Sequence, residues 1–387
     1  MTLRFPKDYP NIAKISKAAL RRNFQVFRNH CGHKVRLCPA VKANAYGHGI
    51  EIVAPVFAQA GTDMFAVANL AEAWELSELT PGLDILVFSP DPRHGSDKAT
   101  MCDAVKAGFY LTVTDEPTLG FLAECAEAMD TAARIHIKVD TGMGRMGILP
   151  TAAMKLISYI LRTPALRLEG LYTHFATADE ADASFAAEQL RRFEDFLVDA
   201  KRLDGEVPLV HAANSAAILG MPESHFNLVR PGISAYGYLP SEPMAGLKVM
   251  SGLSPVMRVE SRLVLVKNLP TGHTCGYGQT FRANRPTKVG IVPIGYDDGY
   301  RRLFSNRAVM QVREAQAPVI GRVSMDQTIL DLTEVPAAEI GDTVTVISER
   351  RDDPNSVENL AAMADTIPHE ITCLLGRRIM RQAIEDF

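Results

Sequence analysis

The sequence predicts an α/β protein built from an N-terminal TIM (β/α)8 barrel and a mostly β C-terminal domain. Three observations carry that expectation. From residue 34 to about residue 240, short apolar runs alternate with helical patterns eight times. After about residue 245, strand-like runs follow one another with turn residues between them. The chain has 387 residues, more than one hydrophobic core usually holds. The expected division is residues 12–245 for the barrel and 246–387 for the β-rich domain.

The eight candidate barrel strands are VRLCPAVK, MFAVAN, DILVFS, YLTVTD, RIHIKVD, LEGLYTHF, PLVHAAN and FNLVRPG, in that order. Among the intervening helices the clearest is ASFAAEQLRRFEDFLVDAKRL. There Leu190, Phe193, Leu197 and Ala200 recur at spacings of three and four, and Asp182 is placed to cap the N-terminus. An open doubly wound sheet is the alternative, but the first turn has no G-x-G-x-x-G to support it. In the second domain VMRVESRLVLVKNL, TKVGIVPIGY, AVMQVRE, QTILDLT and DTVTVIS read as strands, and SVENLAAMADT is the one good helical stretch.

Composition narrows the function classes. Hydrophobic residues at 47% and charged residues at 22% describe an ordinary globular protein. A formal net charge of -4 gives no general attraction to nucleic acid or to an anionic membrane. The start, MTLRFPKDYP, lacks the apolar core of a signal peptide, and no run is long enough to span a bilayer, so the expected location is cytoplasmic. The six cysteines form no C-x-x-C pair and no zinc spacing, and no metal site is expected.

The stretch AVKANAYGHG, residues 40–49, opens like a buried strand and then presents Lys42, Asn44, Tyr46 and His48. If VRLCPAVK is the first barrel strand, Lys42 sits at its C-terminal end, the face where barrel enzymes carry their chemistry. The same reading brings Lys138 and Arg145, His174, Asn214 and Ser215, and Arg230 to that mouth from four further strands. Each alone has a bland explanation as a solvated rim residue or a core histidine. Agreement between five strand ends outweighs it. Ser215 opens the short helix SAAILG, and RPGIS offers backbone donors at Gly232 and Ile233, so an anion such as phosphate fits this corner. Serine is also a common plain N-cap. A phosphate corner and a buried lysine at one mouth suggest pyridoxal 5′-phosphate, held through its phosphate and a Schiff base to Lys42.

With those residues in place, the chain resembles the alanine racemase family of fold type III pyridoxal-phosphate enzymes. AVKANAYGHG resembles that family's cofactor-lysine signature, and KVDTGMGRMG, LYTHFATADE, HAANSAA, VRPGISAYG, CGYGQTF, VPIGYDDGY and GRVSMDQ follow in the family's order. The resemblance spans essentially the whole chain. It implies a homodimer whose active sites lie at the barrel mouth and are completed by the partner's second domain, and it implies that residues 1–11 pack with the second domain.

By the same resemblance Lys42 is the cofactor lysine, and Tyr46, Ser215, Gly232 and Ile233 form the phosphate site. Arg230 faces the pyridine nitrogen, and His174 links it to Tyr277 in a hydrogen-bonded chain. Arg145 stands beside the substrate carboxylate, and Lys138 matches a lysine that is carbamylated in many members. Tyr277, as a catalytic base, and Met325, as a backbone donor to the substrate, come from the other subunit, while Tyr296, Arg301, Arg302 and Arg322 line the approach. The chemistry explains these types. Racemisation returns a proton to the opposite face of a carbanion, which requires two acid–base groups flanking one plane, here Lys42 and Tyr277. Both have reference pKa values near 10, so the surroundings must lower them.

Three departures from the family pattern stand out: Ser324 for a frequent cysteine, Asp297 for a common alanine, and His369 where the family has a tyrosine that touches the phosphate and narrows the gate. An imidazole there can become cationic beside phosphate. The expected activity is interconversion of L- and D-alanine for cell-wall precursors. Alternatives are a serine or broad-specificity racemase and, further off, a non-catalytic pyridoxal-phosphate carrier.

Overall fold

The computed structural model describes residues 5–6, 9–89, 98–203 and 207–387. Strand β1 spans Ile12–Ser16, and eight short strands follow it: β2 (Arg36–Leu37), β3 (Met64–Val67), β4 (Asp84–Val87), β5 (Tyr110–Val113), β6 (Ala133–Lys138), β7 (Leu166–Tyr172), β8 (Leu209–His211) and β9 (Leu228–Val229). Each of β2 to β9 overlaps one of the eight apolar runs, with β6 starting one residue and β7 two residues before theirs. Strands β3 to β8 form a parallel sheet in sequence order, and β2 pairs in parallel with β9. The ring closes at its two remaining seams. Ala66 N–H donates to the Pro39 carbonyl and Val41 N–H to that of Ala66, and Arg230 N–H donates to the Ala213 carbonyl. The barrel is therefore complete.

Alternation along the strands sorts the side chains. Phe65, Val67, Ile85, Val87, Leu111, Val113, Ile135 and Ile137 join the core shared with the helices. Their neighbours Met64, Ala66, Leu86 and Tyr110 form a separate cluster with Cys38, Leu209 and Leu228 inside the barrel. His136 lies between Ile135 and Ile137, and Lys138 ends the same strand. The helix over Ser184–Lys201 buries Leu190, Phe193 and Ala200 as its periodicity requires, with Leu197 partly buried against the core. Its start differs from expectation. Asp182 Oδ1 accepts from Ser184 N–H, but the N-cap position is Ala183, which makes no side-chain cap.

The second domain holds a six-stranded sheet in the order Ala315–Pro318, Val309–Val312, Thr343–Ile347, Met257–Arg262, β1, Met380–Ile384. A three-stranded sheet of Leu265–Leu269, Thr287–Val292 and Thr328–Asp331 accompanies it. The position of β1 departs from a barrel beginning at residue 12. Ile12 to Ile15 pair antiparallel with Glu260 to Met257, and Ile12 to Ser16 pair in parallel with Met380 to Ile384. The alternating IAKIS buries Ala13, Ile15 and Ser16, a pattern that either sheet accepts. Just before it, Asn11 donates to the Pro293 carbonyl and accepts from Ser261 Oγ, so Asn11 too bonds to the second domain. Residues 1–4 and 7–8 lie outside the described residues.

Candidate active site

Lys42 directly precedes an unusual piece of backbone. Ala43, Asn44, Ala45 and Tyr46 have φ of 52°, 54°, 52° and 55°, one left-handed turn made without glycine. For L-residues that handedness costs roughly 1–2 kcal/mol each, so the surroundings must hold it. Several groups do. Ala43 N–H donates to Glu72 Oε1, Ile50 N–H to Asn44 Oδ1, and His48 Nδ1 to the Ala45 carbonyl. Arg381 Nε donates to the Gly47 carbonyl from the far end of the chain. Gly47 has φ 82°, and a Cβ there would overlap the Thr372 carbonyl, so only glycine fits.

Beyond this turn lies a cavity of about 310 Å³ lined by Lys42, Tyr46, His174, Ser215, Arg230, Gly232, Ile233 and His369, with Phe88, Met143, Arg145 and Asp179 among the remaining residues. An adjoining recess of about 530 Å³ shares Lys42, Arg145, His174 and Arg230 and adds Lys138. Residues from five strand ends thus meet at one mouth. Lys42, Lys138, Arg145 and Arg230 form no ion pair among the described residues. Their mutual repulsion adds to burial. The Lys42 amine is held below its usual range, first by burial and then by Arg145. Lys138 is pushed down to about 8 by burial and by Arg230, Arg145 and Lys42.

Arg230 is buried and anchored on neutral acceptors. Its guanidinium donates to His211 Nδ1 at 2.5 Å, to the carbonyls of Thr173 and Ala212 at 2.9 and 2.8 Å, and to His174 Nδ1 at 3.3 Å. Burial lowers its pKa to about 10. Because an arginine only donates, both imidazoles accept through Nδ1 and carry their protons on Nε2. His211 Nε2 then donates to His136 Nδ1 at 3.0 Å. His174 is held well below its usual value by burial and by Arg230, so it presents a neutral Nε2–H.

At the other end of the cavity, Ser215 Oγ accepts from Gly232 N–H at 2.8 Å and Ser234 N–H at 3.2 Å, joining the two loops that the sequence marked for an anion. The N-cap of the SAAILG helix is Asn214, whose side chain accepts from Ala217 N–H, and not Ser215. A Cβ on Gly232 would stand 2.8 Å from the Tyr46 hydroxyl. His369 completes this corner, its ring 5.8 Å from that of Tyr46 and its Nδ1 buried without a partner among the described residues. The cationic form that the sequence allows beside a bound phosphate is not the form this imidazole takes in the chain by itself. Burial and the Lys42 charge push His369 down to about 4, so in the chain as described it is neutral near pH 7.

Tyr277 and Met325 do not line this cavity. They lie on the second domain's surface, 71% and 52% exposed, and Tyr296 is 43% exposed. Arg301 is paired with Glu370, next to His369. Sequence reading missed Phe88, Met143, Asp179, Glu72, His211 and Arg381. His211 was the most accessible of these, since it sits in PLVHAAN as His136 sits in RIHIKVD.

Similarity to known proteins runs along nearly the whole chain. Residues 15–240 match the family model for the alanine racemase N-terminal domain, and residues 256–383 match that for the C-terminal domain. Alanine racemase 2 of Caldanaerobacter subterraneus subsp. tengcongensis is 36% identical over 378 residues, 97% of this chain and 95% of the relative. Alanine racemase of Methanococcus maripaludis is 35% identical over 97% of this chain and 98% of its own. The crystal structure of alanine racemase from Streptomyces lavendulae superposes with a TM-score of 0.90 at 32% identity, covering 98% of both chains. That of Bartonella henselae alanine racemase, which contains covalently bound pyridoxal phosphate, gives 0.84 at 28% identity, covering 97% of this chain and 99% of that one.

Proposed function

The chain belongs to the alanine racemase family of isomerases, and from that premise we propose that it interconverts L- and D-alanine with pyridoxal 5′-phosphate by a two-base route. The observation that carries this reading is the cavity itself. Lys42, Arg145 and Arg230 form no ion pair among the described residues, and its far end is a cradle of Tyr46, Ser215 and Gly232 that a single Cβ would fill. An anionic cofactor fits both ends. When bound, it supplies an electron sink for the carbanion left by removal of the α-proton.

The protein's own groups do the rest. Lys42 Nζ would hold the cofactor covalently and then carry a proton on one face, its lowered pKa favouring the free amine. Tyr46, Ser215, Gly232, Ile233 and His369 would fix the phosphate. The partner subunit's Tyr277 would carry the second proton, and a homodimer explains why an aromatic acid–base group stands exposed on a single chain. His174 would donate its Nε2–H to that phenolic oxygen, with Arg230 behind it favouring the phenolate. Arg145, and Met325 of the partner subunit, would orient the substrate carboxylate. Lys138, pushed down to about 8, has an appreciable free-amine fraction near neutrality. Its Nζ would attack carbon dioxide, forming an N–C bond and releasing a proton to solvent, and the resulting carbamate would pair with Arg145.

The place of action would be the cytoplasm, supplying D-alanine to cell-wall precursors. No helix among the described residues is long and apolar enough to cross a membrane. The experiment is chiral analysis of products from L-alanine in deuterium oxide with the cofactor present. D-alanine carrying α-deuterium, with less label in recovered L-alanine, supports two bases. Equal label in both enantiomers from the start argues for one base, and no D-alanine rejects the reading. A broader substrate range is the second reading, favoured by the unpartnered Nδ1 of His369 in the cavity wall.

A further inference from the structure

Lys42 shares its cavity walls with Arg145, Lys138 and Arg230, and Glu72 is a carboxylate whose charge opposes them at the amine. Arg145 lowers the pKa of the Lys42 amine, and Glu72 and the Cys373 thiol raise it. His369, Lys138, Arg230 and His174 face the same cavity walls and add no negative charge, while Asp179 lines the cavity as a further carboxylate. Glu72 itself lies in the first turn of the helix Leu70–Leu79, where Asn69 caps its backbone N–H. Its two oxygens are both engaged. Oε1 accepts from Ala43 N–H at 2.7 Å and Oε2 from Ala68 N–H at 2.7 Å.

Those two donors have a specific meaning. Ala43 is the first residue of the left-handed turn and is bonded directly to Lys42; Ala68 lies just past the end of β3 and lines the recess beside Lys42. One carboxylate therefore ties the end of the neighbouring strand to the start of the strained turn. We propose that Glu72 is a positioning residue for Lys42, holding the left-handed turn in place through Ala43 while supplying the negative charge that offsets the surrounding cations. The proposal rests on Lys42 as the reactive amine of the site.

Two readouts separate the mechanical role from the electrostatic one, and neither needs turnover. The first is hydrogen exchange at Ala43 and Ala68 in the full chain. Glutamine offers one acceptor oxygen where glutamate has two, and loses the charge assistance. Glu72→Gln should therefore speed exchange at one or both amides by about tenfold or more. The second is the pH midpoint of Lys42 acetylation by acetic anhydride, read by peptide mass spectrometry after bound carbonyl compounds are removed with hydroxylamine. Removing a negative charge disfavours the ammonium form, so Glu72→Gln should move the midpoint to lower pH, and Glu72→Asp should bring it back towards that of the native chain. Unchanged exchange at both amides, or an unchanged midpoint, overturns the proposal. Should Glu72→Gln fail to fold, Glu72→Asp carries the test, because the shorter side chain cannot span both amides; native exchange rates in that variant overturn it equally. A chain that shows both effects yet never racemises alanine would leave the positioning role intact and reject the activity alone.

Discussion

Arg230 and His211 meet inside the barrel, Nη1 to Nδ1 at 2.5 Å, and this contact fixes the protonation of both side chains. A guanidinium buried without a carboxylate depends on neutral acceptors, and His211 is the closest of them. The same imidazole stacks on Tyr172, with centroids 4.7 Å apart and planes 5° from parallel, and donates to His136. His211→Phe would keep the stacking and remove both hydrogen bonds. Charged hydrogen bonds contribute roughly 1.5–3 kcal/mol, so the unfolding free energy in urea should fall by about 2–3 kcal/mol. A loss below about 0.5 kcal/mol would mean that the Thr173 and Ala212 carbonyls suffice.

The buried histidines also set the acid limit of the fold. Burial holds His48 and His136 at about 3 and His369 at about 4, and it holds His174 and His211 well below the usual value. In the unfolded chain all would take up protons below about pH 6.5. The unfolded state thus binds more protons between pH 6.5 and about 4, so stability rises with pH across that window and is lost as pH falls through it. Unfolding free energies measured at pH 7, 6, 5 and 4.5 should decline progressively. A flat profile would show that these imidazoles remain accessible to protons in the folded chain.

Gly232 tests the anion cradle. A Cβ there would stand 2.8 Å from the Tyr46 hydroxyl and 3.6 Å from Ser215 Oγ, in the space where the proposed phosphate contacts converge. Overpacking of this kind costs roughly 1–3 kcal/mol, which corresponds to a weakening of about tenfold to a hundredfold. Gly232→Ala should accordingly displace the Tyr46 hydroxyl and raise the dissociation constant for pyridoxal 5′-phosphate by up to that factor, with a lowered thermal midpoint without the cofactor reporting the part of the strain that the fold absorbs. Equal affinity for both proteins would place the phosphate elsewhere.

Much of this arrangement was legible in the sequence, for identifiable reasons. The strands β2 to β9 were legible because continuous apolar runs of four to eight residues separated by amphipathic helices have few other readings. Lys42, Lys138, His174 and Arg230 were legible because a polar residue at the end of such a run must point to a polar place. The left-handed turn was not. Among Ala43, Asn44, Ala45 and Tyr46 only asparagine favours that conformation locally, and the groups that enforce it, Glu72, Arg381 and the Thr372 carbonyl, come from distant parts of the chain. The sheet position of β1 was equally hidden, since its partners lie about 245 and 368 residues away and alternation specifies a face, not a neighbour.

The exposure of Tyr277 leads to a test of the shared site. A base that stands 71% exposed on its own chain serves Lys42 only if another subunit presents it. Lys42→Ala and Tyr277→Phe chains should each be inactive, and mixing them under conditions of demonstrated subunit exchange should restore about a quarter of native activity, from the one intact site in each heterodimer. No recovery would place both bases on one chain or exclude Tyr277 altogether.

His369 decides the substrate range. Its ring lines the cavity next to Tyr46, its Nδ1 has no partner among the described residues, and its pKa near 4 leaves a neutral imidazole that both offers and accepts hydrogen bonds. A tyrosine in its place would be larger, would reach further towards the phosphate end and would close the space beside Lys42. Pockets reject an analogue that merely adds a hydroxyl by factors of only about a hundred, so a slightly wider wall with a free polar atom should bring serine within reach. His369→Tyr should therefore lower the ratio of serine to alanine kcat/KM by about tenfold, chiefly through the KM for serine, because a β-hydroxyl loses both room and a hydrogen-bonding neighbour. By itself the chain keeps this imidazole neutral from pH 6 to 9, so cofactor retention should be flat over that range unless the bound dianion returns a proton to the ring. A retention curve that falls through pH 6.5 would mean that bound phosphate recruits the proton, and an unchanged serine-to-alanine ratio would reject His369 as the determinant of substrate choice.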